Sequence, residues 1–170
     1  RVELVDSLPP VPPEAPERVA GRTWDGARPR IHVAMLTFNA LDNTKLCLES
    51  LGRTARLPHR IHILDNASRK DETRAWLAAQ DAPQLSIEFG DSNLGVPGGR
   101  NRLIDLVLPE MADDDFFVSV DNDMEFFPGW DEKALAFLDA HPEVGILSSD
   151  GHMMVVDGDV RHLVPKRLDF

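Results

Sequence analysis

From residue 31 onward, short apolar runs alternate with stretches whose apolar residues recur at helical spacing. Ile31-His32-Val33-Ala34-Met35-Leu36-Thr37-Phe38 is apolar and β-branched at most positions, the pattern of a strand buried on both faces. Asp42 and Asn43 are placed to cap a helix with Leu46, Leu48 and Leu51 facing inward and Gly52 near its stop. Residues 60–65 read as a second strand, which ends in the turn chemistry of Asp65-Asn66-Ala67-Ser68. A helix is predicted over 71–80 and a third strand over 85–89. A glycine-bearing loop then leads to a helix from about Gly99 to Leu108. Residues 115–120 are predicted as a fourth strand, 130–140 as a helix and 144–148 as a fifth strand. Finally, 153–156 and 160–164 flank Asp157-Gly158, the signature of a two-residue hairpin.

Strand and helix alternating with short links mean parallel βαβ units. The expected fold class is therefore α/β, an open and mostly parallel Rossmann-like sheet with helices on both faces, ending in a β-hairpin. Residues 1–30 stand apart. Leu8-Pro9-Pro10-Val11-Pro12-Pro13-Glu14-Ala15-Pro16 reads as an extended, polyproline-type arm or linker, because proline fixes φ and removes donors. The domain proper is then 31–170.

Composition narrows the partners. At 170 residues the chain is of single-domain length, and its 42% hydrophobic and 28% charged residues are ordinary for a globular protein. A formal charge of -11 argues against nucleic acid or an anionic membrane, both of which attract clustered Lys and Arg. The single cysteine, Cys47, excludes an internal disulfide framework and a Cys-rich zinc site. No apolar run reaches the roughly 18 residues of a membrane span, so a cytoplasmic location is expected.

In an open α/β sheet, ligands sit beyond the carboxyl ends of the strands. Those ends read Thr37-Phe38-Asn39, Asp65-Asn66, Gly90-Asp91-Ser92-Asn93 and Asp121-Asn122-Asp123. The last places two carboxylates one residue apart where an apolar strand enters a loop. If the segment is extended, both face one site, and two hard oxygen donors suit Mg²⁺ or Mn²⁺. Two solvated loop acids would read the same. Residues 110–159 hold fourteen Asp or Glu against one Lys, a balance that favours a cation on that side of a cleft. Asn93-Leu94-Gly95-Val96-Pro97-Gly98-Gly99-Arg100-Asn101 could cradle a diphosphate at a helix N-terminus, although a plain turn into a helix fits these residues equally well. Asp65 is either a ribose or base acceptor or a helix cap. The histidines lack ligand spacing and read as structural.

Taken in order, these pieces resemble family 2 glycosyltransferases of the GT-A fold. The resemblance covers residues 31–150 and is carried by Met35-Leu36-Thr37-Phe38-Asn39-Ala40, Cys47-Leu48-Glu49-Ser50-Leu51, Ile63-Leu64-Asp65-Asn66-Ala67-Ser68, the 93–101 segment, Asp121-Asn122-Asp123 and Pro128-Gly129-Trp130. It implies a metal-dependent enzyme that moves a sugar from a nucleotide-diphosphate sugar, UDP- or dTDP-linked, to a hydroxyl of a saccharide or other acceptor, with inversion. By that resemblance Thr37, Phe38 and Asn39 line the nucleoside pocket and Asp65 contacts base or ribose. Asn93, Gly98, Gly99 and Arg100 close over the nucleotide and diphosphate. Asp121 and Asp123 form the DXD metal motif for Mn²⁺ or Mg²⁺, with Asp123 the direct ligand.

One part of the family pattern has no match. Its catalytic base and acceptor pocket lie beyond the strand corresponding to 144–148, and Asp150 is only a weak substitute. The donor half is expected here, the acceptor half being supplied by a further segment, another domain or another chain. Two other readings compete: a nucleotidyltransferase of related fold and a non-catalytic nucleotide-sugar-binding module. The first would carry a Gly-rich basic segment after the first strand, where Thr37-Phe38-Asn39-Ala40 stands instead.

Overall fold

The structure, a computed structural model, describes residues 30–69, 71–141 and 144–147, together with the main-chain course of strands at 153–156 and 159–162. The Pro-rich arm and Asp150 lie outside the described residues. Two compact units divide the chain, one reaching to Glu132 and the other beginning at Lys133.

The first unit is built on four strands, β1 (Ile31–Thr37), β2 (His59–Asp65), β3 (Leu85–Phe89) and β4 (Phe116–Asp121). They form one parallel sheet in the order β3-β2-β1-β4. Helices α1 (Leu41–Thr54), α2 (Asp71–Ala78) and α3 (Gly95–Val107) link them, and α3 ends in a short 3-10 turn over Leu108–Glu110. Every residue of β1 is buried, as a central strand requires. Register puts Ala34, Leu36, Leu64, Ser119 and Asp121 on one face, where Ala34, Leu36 and Leu64 pack with Leu103 and Val107 of α3. Thr37 and Asp65 lie on the opposite face, which α1 and α2 cover through Thr44 and Arg74. Helices therefore cover both faces, as the hydrophobic pattern predicts.

Element positions agree with the sequence reading except at several ends. Helix α1 begins at Leu41 rather than after an Asp42 or Asn43 cap, because Thr44 returns both its N–H and its hydroxyl to Ala40 O. Its buried stripe is Thr44, Cys47, Leu48, Ser50, Leu51 and Thr54; Leu46, a hundred degrees off that stripe, is half exposed. The helix also runs past Gly52. Its exit is held by Asp131, fully buried, whose Oδ2 accepts the N–H groups of Arg56 at 2.6 Å and Leu57 at 2.7 Å. Helix α3 starts at Gly95, four residues before the expected point, since Pro97 is tolerated in a first turn.

The expected fifth strand is not formed over 144–147, the part of 144–148 that the structure describes. These residues follow helix α4 (Trp130–Ala140), and Val144 N–H bonds to His141 O. Ile146 is 87% exposed, so this apolar run lacks the neighbouring strand a ladder demands. In the second unit, β5 (Met153–Val156) and β6 (Asp159–His162) pair antiparallel, with Val156 opposite Asp159 across a two-residue link. That is the predicted hairpin, its second strand starting one residue earlier and ending two residues earlier than expected.

On the α3 face a polar cluster interrupts the core. His32 Nδ1 lies 3.1 Å from His62 Nε2, and His32 Nε2 lies 3.4 Å from Asp115 Oδ2, all nearly inaccessible. Arg60 and Glu110, paired at 3.1 Å, stand nearby. Burial lowers the His62 pKa to about 4, with His32 and Arg60 pressing the same way and Glu110 opposing them. Between pH 6.5 and about 4 the unfolded chain holds a proton on this ring that the folded chain does not, so acid favours unfolding. This one group should remove up to about 3 kcal/mol of stability as pH falls through that window. Urea melts of the wild type and His62→Gln at pH 7 and pH 4 test it: the difference between the two proteins should change with pH, and a constant difference would remove His62 as the source.

Candidate functional site

Strand order reverses between β1 and β4, because α1 and α2 carry the chain one way along the sheet and α3 carries it back. A crevice forms at the carboxyl edge of such a switch point. The segments Thr37-Phe38-Asn39 and Asp121-Asn122-Asp123 leave these adjacent strand ends, with the ends of β2 and β3 beside them. Three non-glycine residues on this edge have left-handed backbone, Asn39 (φ 58), Ala40 (φ 41) and Ala67 (φ 60). Such conformations are held by their surroundings. Asn39 shows how: its N–H donates to Ser68 Oγ at 2.7 Å, and its Oδ1 accepts from Arg69 N–H at 2.9 Å.

Thr37 is 1% exposed and turns its hydroxyl inward, 2.9 Å from Thr44 Oγ1. Asn122 donates its Nδ2 to both hydroxyls, at 3.2 Å to Thr37 and 2.9 Å to Thr44. Thr37 is thus turned into the fold beneath the strand ends, whereas Phe38 is 37% exposed. Asp65 is fully buried. Its carboxylate accepts Ser68 N–H and pairs with Arg74 at 3.3 Å, and Arg74 also donates to Gly90 O and lies over the Phe89 ring. Asp65 therefore caps no helix, since Ser68 precedes α2; its carboxylate holds the turn after β2.

The glycine-bearing segment is tied to the end of β2 by Asn66, 4% exposed. Its Nδ2 donates to Asn93 Oδ1 and Gly95 O, both at 3.2 Å, and its Oδ1 accepts Leu94 N–H at 2.9 Å. Asn93 Oδ1 also accepts Gly95 N–H. The segment before α3 is thereby fixed. Asn66 and Asn93 take up the Leu94 and Gly95 N–H groups while Pro97 has none, so Val96 is the remaining first-turn donor, and the helix dipole more than a row of N–H groups would favour an anion here. Gly98 is half-buried, close to Leu94, while Gly99 is buried against β1: a Cβ there would lie 2.6 Å from Leu36 Cδ1. Gly99 serves helix-to-sheet packing. Arg100 reaches across to β4, with Nη1 3.1 Å from Ser119 Oγ and Nη2 2.8 Å from Asp121 Oδ1.

Strand β4 ends at Asp121, and Asn122 and Asp123 lie in a turn, so the extended geometry expected for the acidic pair does not run through it. Both carboxylates are nonetheless exposed, and both act on one buried point: the Cys47 thiol, bonded at 3.7 Å to Asp121 O, has its pKa pushed up to about 12, chiefly by burial and further by Asp123 and Asp121. Among the described residues no group of three or more His, Cys, Asp or Glu could hold a metal by itself. A Mg²⁺ or Mn²⁺ ion taking one or two carboxylates and completing its shell with water and phosphate fits the pair.

Sequence reasoning identified the strand ends, Asn66 and Asn122 among them, but not the contacts these two make, and it missed Thr44, Ser50 and Arg74. The only signal was polar residues on a stripe of α1 otherwise expected to be apolar.

The model of glycosyl transferase family 2 matches residues 32–166, and the chain belongs to that family. Solved structures agree on the fold. S. aureus TarS 1-349 in complex with UDP-GlcNAc is 22% identical with a TM-score of 0.56, covering 76% of this chain and 36% of that one. The UDP complex of the same protein gives 22% and 0.56 over 76% and 37%, and a further TarS structure gives 22% and 0.55 over 72% and 20%. The chain thus spans little more than a third of the TarS 1-349 structures. No curated protein gives a significant match. No helix among the described residues is long and apolar enough to cross a membrane.

Two substitutions test the backbone reading. Ala67→Gly should stabilise the fold by about 1 kcal/mol by relieving left-handed strain. Gly99→Ala should destabilise it by about 1–3 kcal/mol by overpacking against Leu36. Denaturant midpoints measure both, and an unchanged midpoint in either would contradict the geometry assigned there.

Proposed function

We propose that this chain supplies the donor-binding part of a glycosyltransferase, taking a nucleotide-diphosphate sugar and, with Mn²⁺ or Mg²⁺, delivering the sugar to an acceptor hydroxyl. The observation that carries this reading is the pairing of Arg100 of α3 with Asp121 at the carboxyl end of β4, Asp121 and Asp123 both being exposed. Family membership and the UDP-GlcNAc and UDP bound by the TarS neighbours support it.

In this reading the diphosphate meets the positive end of the α3 dipole and the Arg100 guanidinium. Arg100 offsets negative charge on the phosphates as well as on Asp121. Phe38 offers an apolar surface to the nucleoside, and the turn held by Asp65, Asn66 and Asn93 sets the shape of that pocket. Asp121 and Asp123 would hold the ion, which when bound supplies Lewis-acid stabilisation of the departing diphosphate. Transfer with inversion is part of the proposal, as are a saccharide or other hydroxyl acceptor and Asp150 as a candidate base.

Calorimetric titration of the 170-residue chain with UDP, dTDP and GDP, each with Mn²⁺ and with chelator, tests the reading. Metal-dependent binding of one nucleotide is expected. Asp123→Ala should abolish the metal-dependent component while far-ultraviolet circular dichroism stays unchanged. Binding that is indifferent to Mn²⁺ would sink the metal assignment, and no binding of any nucleotide would leave a likeness of fold alone.

A further inference from the structure

Thr44, Cys47 and Ser50 recur every three residues on α1 and are fully buried. Each meets the segment that carries the acidic pair. Thr44 Oγ1 accepts from Asn122 at 2.9 Å, Cys47 Sγ donates to Asp121 O at 3.7 Å, and Ser50 Oγ accepts Phe126 N–H at 3.1 Å. Thr44 and Ser50 give their hydroxyl protons to Ala40 O and Cys47 O within α1, so the 121–126 segment supplies donors to their remaining lone pairs and an acceptor to the thiol.

The proton directions fix the chemistry at position 122. Thr44 gives its hydroxyl proton to Ala40 O at 3.1 Å, so Thr37 must donate in the 2.9 Å contact between the two hydroxyls. Each oxygen is then left only as an acceptor toward Asn122. A primary amide supplies both N–H groups from one nitrogen, whereas an aspartate would supply none. With Asn122 drawn inward, its neighbours Asp121 and Asp123 are left exposed on either side.

We infer that Asn122, anchored by Thr37 and Thr44, is the positioning residue that sets the turn presenting Asp121 and Asp123 to a divalent cation. This rests on the donor-site reading above, and it assigns a role to the middle residue of the motif and to a helix that touches no ligand.

The test is the Mn²⁺ concentration that half-saturates UDP binding by the full chain, measured by calorimetry for the wild type, Asn122→Ala, Thr44→Val and Thr44→Ser. Asn122→Ala and Thr44→Val should each raise it about ten-fold, as expected when the support of a metal ligand is lost. Thr44→Ser, which keeps the hydroxyl, should restore the wild-type requirement, and UDP affinity in chelator should be the same in all four. If Thr44→Val fails to fold, the half-exposed Asn122 still provides the test. An unchanged Mn²⁺ requirement in Asn122→Ala, or loss in Thr44→Ser equal to that in Thr44→Val, overturns the inference while leaving the donor site in place. Absence of any Mn²⁺-dependent UDP binding in the wild type overturns the donor-site reading, and this inference with it.

Discussion

Strand β1 is covered on both faces and paired on both edges, and the rest of the described sheet is arranged around that constraint. A strand with no solvent face can be connected to parallel neighbours only by crossovers, and right-handed crossovers send α1 and α2 to one side and α3 to the other. The reversal of direction between β1 and β4 follows. So does the crevice, because two loops leaving adjacent strand ends toward opposite faces cannot fill the space between them. The site is in this sense a by-product of burying seven residues completely.

What fills the edges of that crevice is polar and mutually supporting. The turn after β1 leans on Ser68, the turn after β2 holds the segment before α3 through Asn66, and α3 returns a guanidinium to β4 through Arg100. Exposed ion pairs such as Arg100–Asp121 add little to stability. Here the pair matters for the placement of a positive group beside the acidic motif. Buried amides and hydroxyls with defined partners carry the rigidity, since leaving any one of them unmatched is unfavourable.

The strands and the order of helices were legible because burial imposes a period, and β1 and β3 were read within one residue of their ends. The 144–148 run misled because an apolar composition states a tendency to be covered without saying by what; Ile146 remains exposed. Leu46 misleads for a related reason: its residue type asks for burial, but the helical stripe passes through Thr44, Cys47, Leu48 and Leu51 and leaves it outside. At the site, the residue types at the strand ends were readable, but their directions were not. Thr37 faces the helix, Asp65 is satisfied within its own turn, and Gly99 faces Leu36. Such directions depend on pairings between residues as far as 85 positions apart, as in Asn122 with Thr37, which no local pattern encodes.

Helix α1 is where the fold departs most from what stability alone would select. A stripe of threonine, cysteine and serine facing a sheet gives less hydrophobic burial than valine, leucine and alanine of similar size. Redesign of this helix for thermal resistance would find those positions first and gain from filling them with aliphatic side chains. It would also detach the loop they carry. Resistance to heat and fidelity of the crevice are therefore set by the same helical turns and pull in opposite directions.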